Sequence, residues 1–276
     1  MMNVRLFAAA AALAFAAAPG WVQPAAAAVS CGATITADTT LTASDPVTST
    51  PCVGNGITLG ADNITLDCGG LTIKGRGRGD GIRLGTGVEA VTIQNCTVDH
   101  FSVGVLLAGA GGAFVERVLS ENNTSDGVQV ISSNNFLSVV LSQHNNGSGF
   151  KIAGSANSID SLVAVGNSKA GFSLTGKDHD LENSQAISNG QGWTGNINST
   201  FFASNSAIGN KQDGINISGG TVSLSNEFDG NRAFANGGNG LVVNGTNPDI
   251  DIDGGDNIGL GNAGAIQCQI VGVACQ

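Results

Sequence analysis

Tyrosine is absent from this 276-residue chain, and tryptophan occurs only twice. An extensive aromatic surface of the kind that stacks sugars is therefore not expected. Proline is scarce, at 5 residues. Glycine reaches 42 but follows no strict three-residue period, so a collagen-like rod is excluded. Charged residues make up only 12%, and cations are the rarer sign: 11 Lys and Arg against 21 Asp and Glu leave a net charge of −10. A general nucleic-acid binder needs a basic face, and this balance argues against one. Beyond the N-terminus no apolar run approaches the ~20 residues of a membrane-spanning helix. What the chain does have is 41% apolar residues, enough for a sizeable core.

Residues 1–28 have the form of an export signal. Arg5 gives a short positive region, and Leu6 to Ala18 is an alanine-rich apolar run. Pro19 and Gly20 break it, and Ala26-Ala27-Ala28 offers a small-residue cleavage site. A chain exported to a bacterial periplasm or the exterior meets an oxidising environment, so its 6 cysteines are expected to pair. Sequence alone leaves many connectivities open. Position favours Cys31 with Cys52, flanking an N-terminal segment, and Cys268 with Cys275 at the C-terminus. Cys68 and Cys96 fall near equivalent points of two successive repeats. No Cys-x-x-Cys pair exists, which disfavours zinc.

The repeats decide the fold. Gly followed by an apolar residue returns at Gly56, Gly81, Gly104, Gly127, Gly149, Gly171, Gly192, Gly214 and Gly240, in steps of 21 to 26 residues. Asparagines keep a second register: Asn123, Asn145, Asn167, Asn189, Asn210, Asn236 and Asn262. Behind each glycine the apolar residues alternate, as in Ile57/Leu59, Val128/Val130 and Phe172/Leu174, which is the period of a strand. Gly, Asn, Ser and Asp punctuate these runs, and no long helical period occurs in the mature chain. A coil of ~22 residues with about three short strands and no helix is a β-solenoid. In such a coil the asparagines stack ~4.8 Å apart and satisfy buried turn groups through their amides, which gives them a structural role.

The segments Cys31-Gly32-Ala33-Thr34-Ile35-Thr36 and Gly60-Ala61-Asp62-Asn63-Ile64-Thr65-Leu66-Asp67, the Gly/Asn repeat and the closing Gln267-Cys268 resemble the right-handed parallel β-helix proteins of the pectin-lyase-like superfamily. The nearest resemblance is to exported bacterial β-helix-repeat proteins, including the NosD-type periplasmic group. It implies an all-β, single-stranded right-handed parallel β-helix of about nine coils with disulfide-stapled ends. The expected organisation is a signal at 1–28, an N-terminal cap at 29–55, the β-helix at 56–264 and a C-terminal cap at 265–276. The resemblance is specific for fold and weak for activity, because this superfamily hosts lyases, hydrolases, epimerases and non-catalytic surface proteins.

Family motifs narrow the chemistry. The hydrolase set and the pectate-lyase Arg-x-Pro-x-x-Arg segment are absent. Lys177-Asp178-His179-Asp180 partly matches the Asp-Pro-His-Asp of uronate epimerases and lyases but lacks the proline. As a catalytic set, His179 would move the proton, Asp178 or Asp180 would orient it, and Lys177 or Lys151 would neutralise a uronate. Against this, His179 falls where Asn135 and Asn157 fall in their repeats, at an ordinary turn. A second candidate is the basic run holding Lys74, Arg76, Arg78 and Arg83, which could meet an anionic glycan or be a solvated loop. Asp249, Asp251 and Asp253 copy the start of a calcium loop. Its twelfth position is Leu260 instead of Glu, so they are at most weak calcium ligands, and no other cofactor is expected. After signal removal no methionine remains, and three scattered histidines make a copper site improbable.

The expectation is thus an exported β-helix that binds carbohydrate without catalysis. The alternatives are a polysaccharide lyase or C5-epimerase and a structural surface protein. A polysaccharide is the expected partner, and the sequence implies no oligomeric state.

Overall fold

The computed structural model describes residues 28–219, 226–245, 252–270 and 273–275. The expected export signal lies outside these, apart from Ala28, as do Asp249 and Asp251. The described chain winds into about ten turns, nearly all parallel β. One 12-stranded sheet runs from Ala33–Ile35 through Ile57–Leu59, Val128–Val130 and Phe172 to Cys268–Ile270. Only its last strand, Val273–Ala274, runs antiparallel. A 16-stranded second sheet forms two runs, bridged by the long bent strands Thr92–Asp99, Phe114–Glu121 and Phe136–Gln143. Segment 29–55 supplies the first rung, since Ala33–Ile35 pairs with Ile57–Leu59. It also holds the four-residue α-helix Pro46–Ser49, with Val47 buried. No helix among the described residues is long and apolar enough to cross a membrane.

Alternation does what its period requires. Ile57/Leu59, Ile82/Leu84, Val105/Leu107 and their successors point inward and are buried. Phe150, Phe172 and Trp193 stack within this row, with centroids 4.8 Å and 3.6 Å apart. The Trp193 indole N–H donates to the Ser206 carbonyl at 3.0 Å. Disulfides join Cys31–Cys52, Cys68–Cys96 and Cys268–Cys275.

The seven asparagines of the repeat form an amide ladder inside one turn. Asn145 shows the pattern. Its Oδ1 accepts from the Asn123 backbone N–H and Nδ2, and its own N–H and Nδ2 donate to Asn167 Oδ1. Gln267 closes the series by accepting from Asn262. The glycine register follows from this ladder. A Cβ on Gly127 would lie 1.9 Å from Ser142 Oγ and 2.7 Å from Asn145 Nδ2, so only glycine lets the strand pass so close. The Gly and Asn registers are two sides of one contact.

Candidate functional site

His179 is the best-defined of the residues proposed from sequence. A second ladder runs Asn135, Asn157, His179, Thr200 and Asn226. The Asn157 N–H donates to His179 Nδ1 at 3.3 Å, and the His179 N–H donates to Thr200 Oγ1 at 3.4 Å. His179 Nε2 lies 3.2 Å from the Thr175 carbonyl, which fixes the tautomer: Nδ1 accepts and Nε2 carries the proton. The ring is 2% exposed, and its burial holds the pKa below the ordinary value of 6.5. The imidazole is neutral and both nitrogens are engaged. Its sequence neighbours face outward instead. Lys177 Nζ sits 3.6 Å from Asp178 Oδ2 at the exposed turn, and Asp180 lies exposed on the outer face of the second sheet. The fold brings Lys177 and Asp178 together and turns His179 away from them.

The basic run divides in the same way. Lys74 is committed to Asp99 at 3.0 Å, and Arg83 to Asp80 at 3.4 Å. Desolvation would raise the Asp99 pKa, but bonds from Asn122, Lys74 and His100 together outweigh it and hold it low. Arg76 and Arg78 are exposed and make no ion pair among the described residues. Asp253 spends Oδ1 on the Gly255 N–H and Asn257 Nδ2. Among the described residues no three His, Cys, Asp or Glu side chains converge to hold a metal.

Strand register then sorts the surface in a way the linear sequence does not display. The outward row of the first sheet reads Thr58, Arg83, Leu106, Gln129, Lys151, Ser173, Thr194 and Asn216, with no carboxylate. Beside Ser173 and Thr194 a groove of about 370 Å³ opens, with Ser168, Lys169, Gln191 and Gln212 in its walls. Lys169 lies in the wall, exposed Lys151 stands one rung from Ser173, and Lys211 and Asp213 flank Gln212, with Asp213 accepting from Asn216 Nδ2 at 2.8 Å. The outer face of the second sheet is opposite in sign. It carries Glu116, Asp160, Asp180, Glu182, Glu227 and Asp229. Asp160 and Glu182 are register partners, and the Glu182 pKa is raised by desolvation and by the charges of Asp180 and Asp160. Sequence reading had singled out Lys151 but missed Lys169, Ser173, Gln191 and Thr194. These residue types carry no signal until the coil aligns them.

Residues 45–186 match the family model described as right handed beta helix region. Among solved structures, the chain is similar to the Dettilon tailspike protein at 15% identity, covering 84% of this chain and 60% of that one, with a TM-score of 0.50. It is also similar to tailspike protein 2 of Escherichia coli O157:H7 bacteriophage CAB120, at 14% identity and a TM-score of 0.44. That match covers 70% of this chain but only 30% of the tailspike. The A-module of the Azotobacter vinelandii mannuronan C-5 epimerase aligns at 13% identity over 84% of this chain and 80% of that one, with a TM-score of 0.38. These likenesses are of fold. No curated protein matches the chain.

Proposed function

The chain belongs to the right-handed β-helix family, and from that premise we propose that it is an exported, non-catalytic carbohydrate-binding protein whose glycan lies in the groove beside the first sheet. The observation that carries this reading is the groove's wall chemistry: Ser168, Lys169, Ser173, Gln191, Thr194 and Gln212, with Lys151 one rung from Ser173. A sugar polymer presents hydroxyls at a regular interval, and a solenoid presents donors and acceptors every ~4.8 Å on a rigid sheet. The ammonium groups favour a polymer that carries carboxylates or another anion. Three disulfides support export, because such bonds persist in oxidising compartments. The lyase or epimerase reading loses its proton carrier, since both nitrogens of His179 are engaged within a buried ladder.

The test is affinity electrophoresis of the mature protein through gels containing alginate or pectate. Lys151→Gln combined with Lys169→Gln should weaken retention at least fivefold, and salt should weaken the parent but hardly the variant. Unchanged retention in the double variant would sink the groove assignment. New C4–C5 double bonds or inverted C5 centres in the polymer's proton NMR spectrum would make the protein an enzyme and overturn the non-catalytic reading.

A further inference from the structure

Asp45 is a buried carboxylate at the N-terminal end of the solenoid, 7% exposed. Its Oδ1 accepts from the Val29 backbone N–H at 2.7 Å. Its Oδ2 accepts from the Thr42 N–H at 2.7 Å and from the Thr42 hydroxyl at 2.9 Å. Desolvation would raise its pKa, but the bonds from Thr42 and Val29 together outweigh it and hold the group ionised. Among the described residues no Lys, Arg or His pairs with this charge. A buried charge met only by neutral donors is costly, and an opposite charge in hydrogen-bond contact offsets that cost. The place of Val29 is fixed. Its side chain is buried, its carbonyl accepts from the Val47 N–H at 3.0 Å, and two residues on Cys31 is bonded to Cys52. Ala28, just before it, is exposed.

Sequence and geometry meet at the Val29 nitrogen. The expected export signal ends in Pro24-Ala25-Ala26-Ala27-Ala28, and a small-x-small pattern allows a cut after Ala27 or after Ala28. We propose that the cut falls between Ala28 and Val29, and that the α-ammonium it creates is the counter-ion of Asp45. The step is a hydrolysis by an export endopeptidase. The Ala28–Val29 C–N bond breaks. The oxygen of one water goes to the Ala28 carbonyl carbon, which leaves as a carboxylate, and both its hydrogens go to the Val29 nitrogen, which becomes –NH3+. Cleavage precedes folding of this end, because Val29 is buried in the fold. In the unprocessed chain Asp45 meets a neutral N–H. In the processed chain the same contact is charge-assisted, a type roughly twice as strong. A cut one residue earlier would leave the ammonium on exposed Ala28, and a cut one residue later would remove buried Val29 altogether. The pair ties the first residue of the mature chain to the turn at 42–49, so the N-terminal cap locks only after processing. This inference rests on the export proposed above and on no glycan.

The test begins with protein exported from a bacterial host. Mass spectrometry should find Val29 as its first residue. Ordinary α-amines titrate near about pH 8 and acetylate readily at neutral pH. The Val29 amine should acetylate at least tenfold more slowly in the folded protein than in concentrated urea, and Asp45→Asn should restore much of the lost reactivity. Forms beginning at Val29 and at Ala28 are then compared by thermal unfolding, with and without Asp45→Asn. Beginning at Val29 should raise the parent's midpoint by about 3 °C or more. In Asp45→Asn it should lower the midpoint or leave it unchanged. A first residue other than Val29, an amine equally reactive folded and unfolded, or an equal shift with and without Asp45→Asn each overturns the proposal. The first residue and the folded-against-urea reactivity use the parent alone, so they decide even where Asp45→Asn fails to fold. Retention of the whole leader would defeat the export reading and this inference with it, whereas a cut elsewhere defeats this inference alone.

Discussion

One inward position at the bend of the second sheet is filled by three different chemistries along the molecule. At the N-terminal end it holds Cys96, bonded to Cys68 of the coil before. In the middle it holds Val118 and Val140, register successors of Cys96, and then Leu162, all with packed apolar side chains. Towards the C-terminus it holds Ser184, Asn205, Asn231 and Asn257, a third hydrogen-bonded ladder. The N-terminal coils are also the less regular ones, since Thr72–Lys74 and the run to Asp80 interrupt the later spacing. A disulfide needs only one neighbour at the right distance. An amide ladder needs every neighbour, because each asparagine's oxygen accepts from the coil before it, its backbone N–H donates to the coil after, and its Nδ2 donates to a carbonyl of the coil before. The contrast teaches that covalent stapling is used where the repeat is imperfect, and cooperative hydrogen bonding where it is regular.

The sharpest way to break this contrast is inside the regular region. Asn167 accepts from the Asn145 N–H and Nδ2 and donates to the Ser142 carbonyl and Asn189 Oδ1. Asn167→Leu removes these four hydrogen bonds and leaves the Asn145 N–H without its acceptor, while Asn145 Nδ2 keeps Ser142 Oγ and Asn189 Oδ1 keeps the backbone N–H of residue 167; each bond lost is worth about 1 kcal/mol. The expected loss is about 4 kcal/mol, measured as a lower urea midpoint at unchanged slope. A loss under about 1 kcal/mol would mean that water replaces the ladder without cost, and the cooperative account would fail.

The stapled region should respond less, and locally. Cys68→Ser with Cys96→Ser opens a link between residues 28 apart. Loop entropy sets its worth at roughly 3–4 kcal/mol, and partial retention of coil contacts in the unfolded chain lowers that. Hydrogen exchange should accelerate at residues 31–100 while the amides of Asn145, Asn167 and Asn189 keep their protection. Uniform acceleration along the whole chain would show that the two regions are one cooperative unit.

How legible these regions were depended on whether a letter repeats. The ladder from Asn123 to Asn262 could be read from sequence because every rung is asparagine at a steady interval. In the second ladder the repeat aligns Asn135, Asn157 and His179 as turn positions, but the residue type changes twice by Thr200 and the hydrogen bonding does not show in the letters; the ladder opening at Ser184 begins with a hydroxyl and forms no pattern of letters. The core was visible for the same reason as the first ladder, in alternations such as Val128/Val130. The surfaces were not. Lys151, Ser173 and Thr194 become neighbours only when coils of 21 to 26 residues are put in register, and a one-residue slip would turn each to the other face. The basic run at Lys74–Arg83, conspicuous as letters, is partly spent on Asp99 and Asp80.

The smallest expected effect concerns the rung where the second ladder changes chemistry. Burial lowers the pKa of His179 in the fold below the 6.5 of a free ring, so between those values the unfolded chain binds more protons than the folded one. Stability contributed by the neutral ring is therefore complete above about pH 6.5 and is lost as pH falls below it. Protonation would add a hydrogen to Nδ1, which now accepts from the Asn157 N–H, and would place a charge in a buried turn. In His179→Asn an amide takes this place, and its oxygen can accept from Asn157 as Asn157 itself accepts from Asn135. At pH 8 the two proteins should differ by about 1 kcal/mol or less, the typical worth of one neutral hydrogen bond. Thermal unfolding from pH 8 to pH 5 should then separate them, with the parent losing stability through this window and the variant losing less. Parallel curves would show that His179 is not the group that titrates, and that a histidine rung is equivalent to an asparagine one at every pH the fold survives.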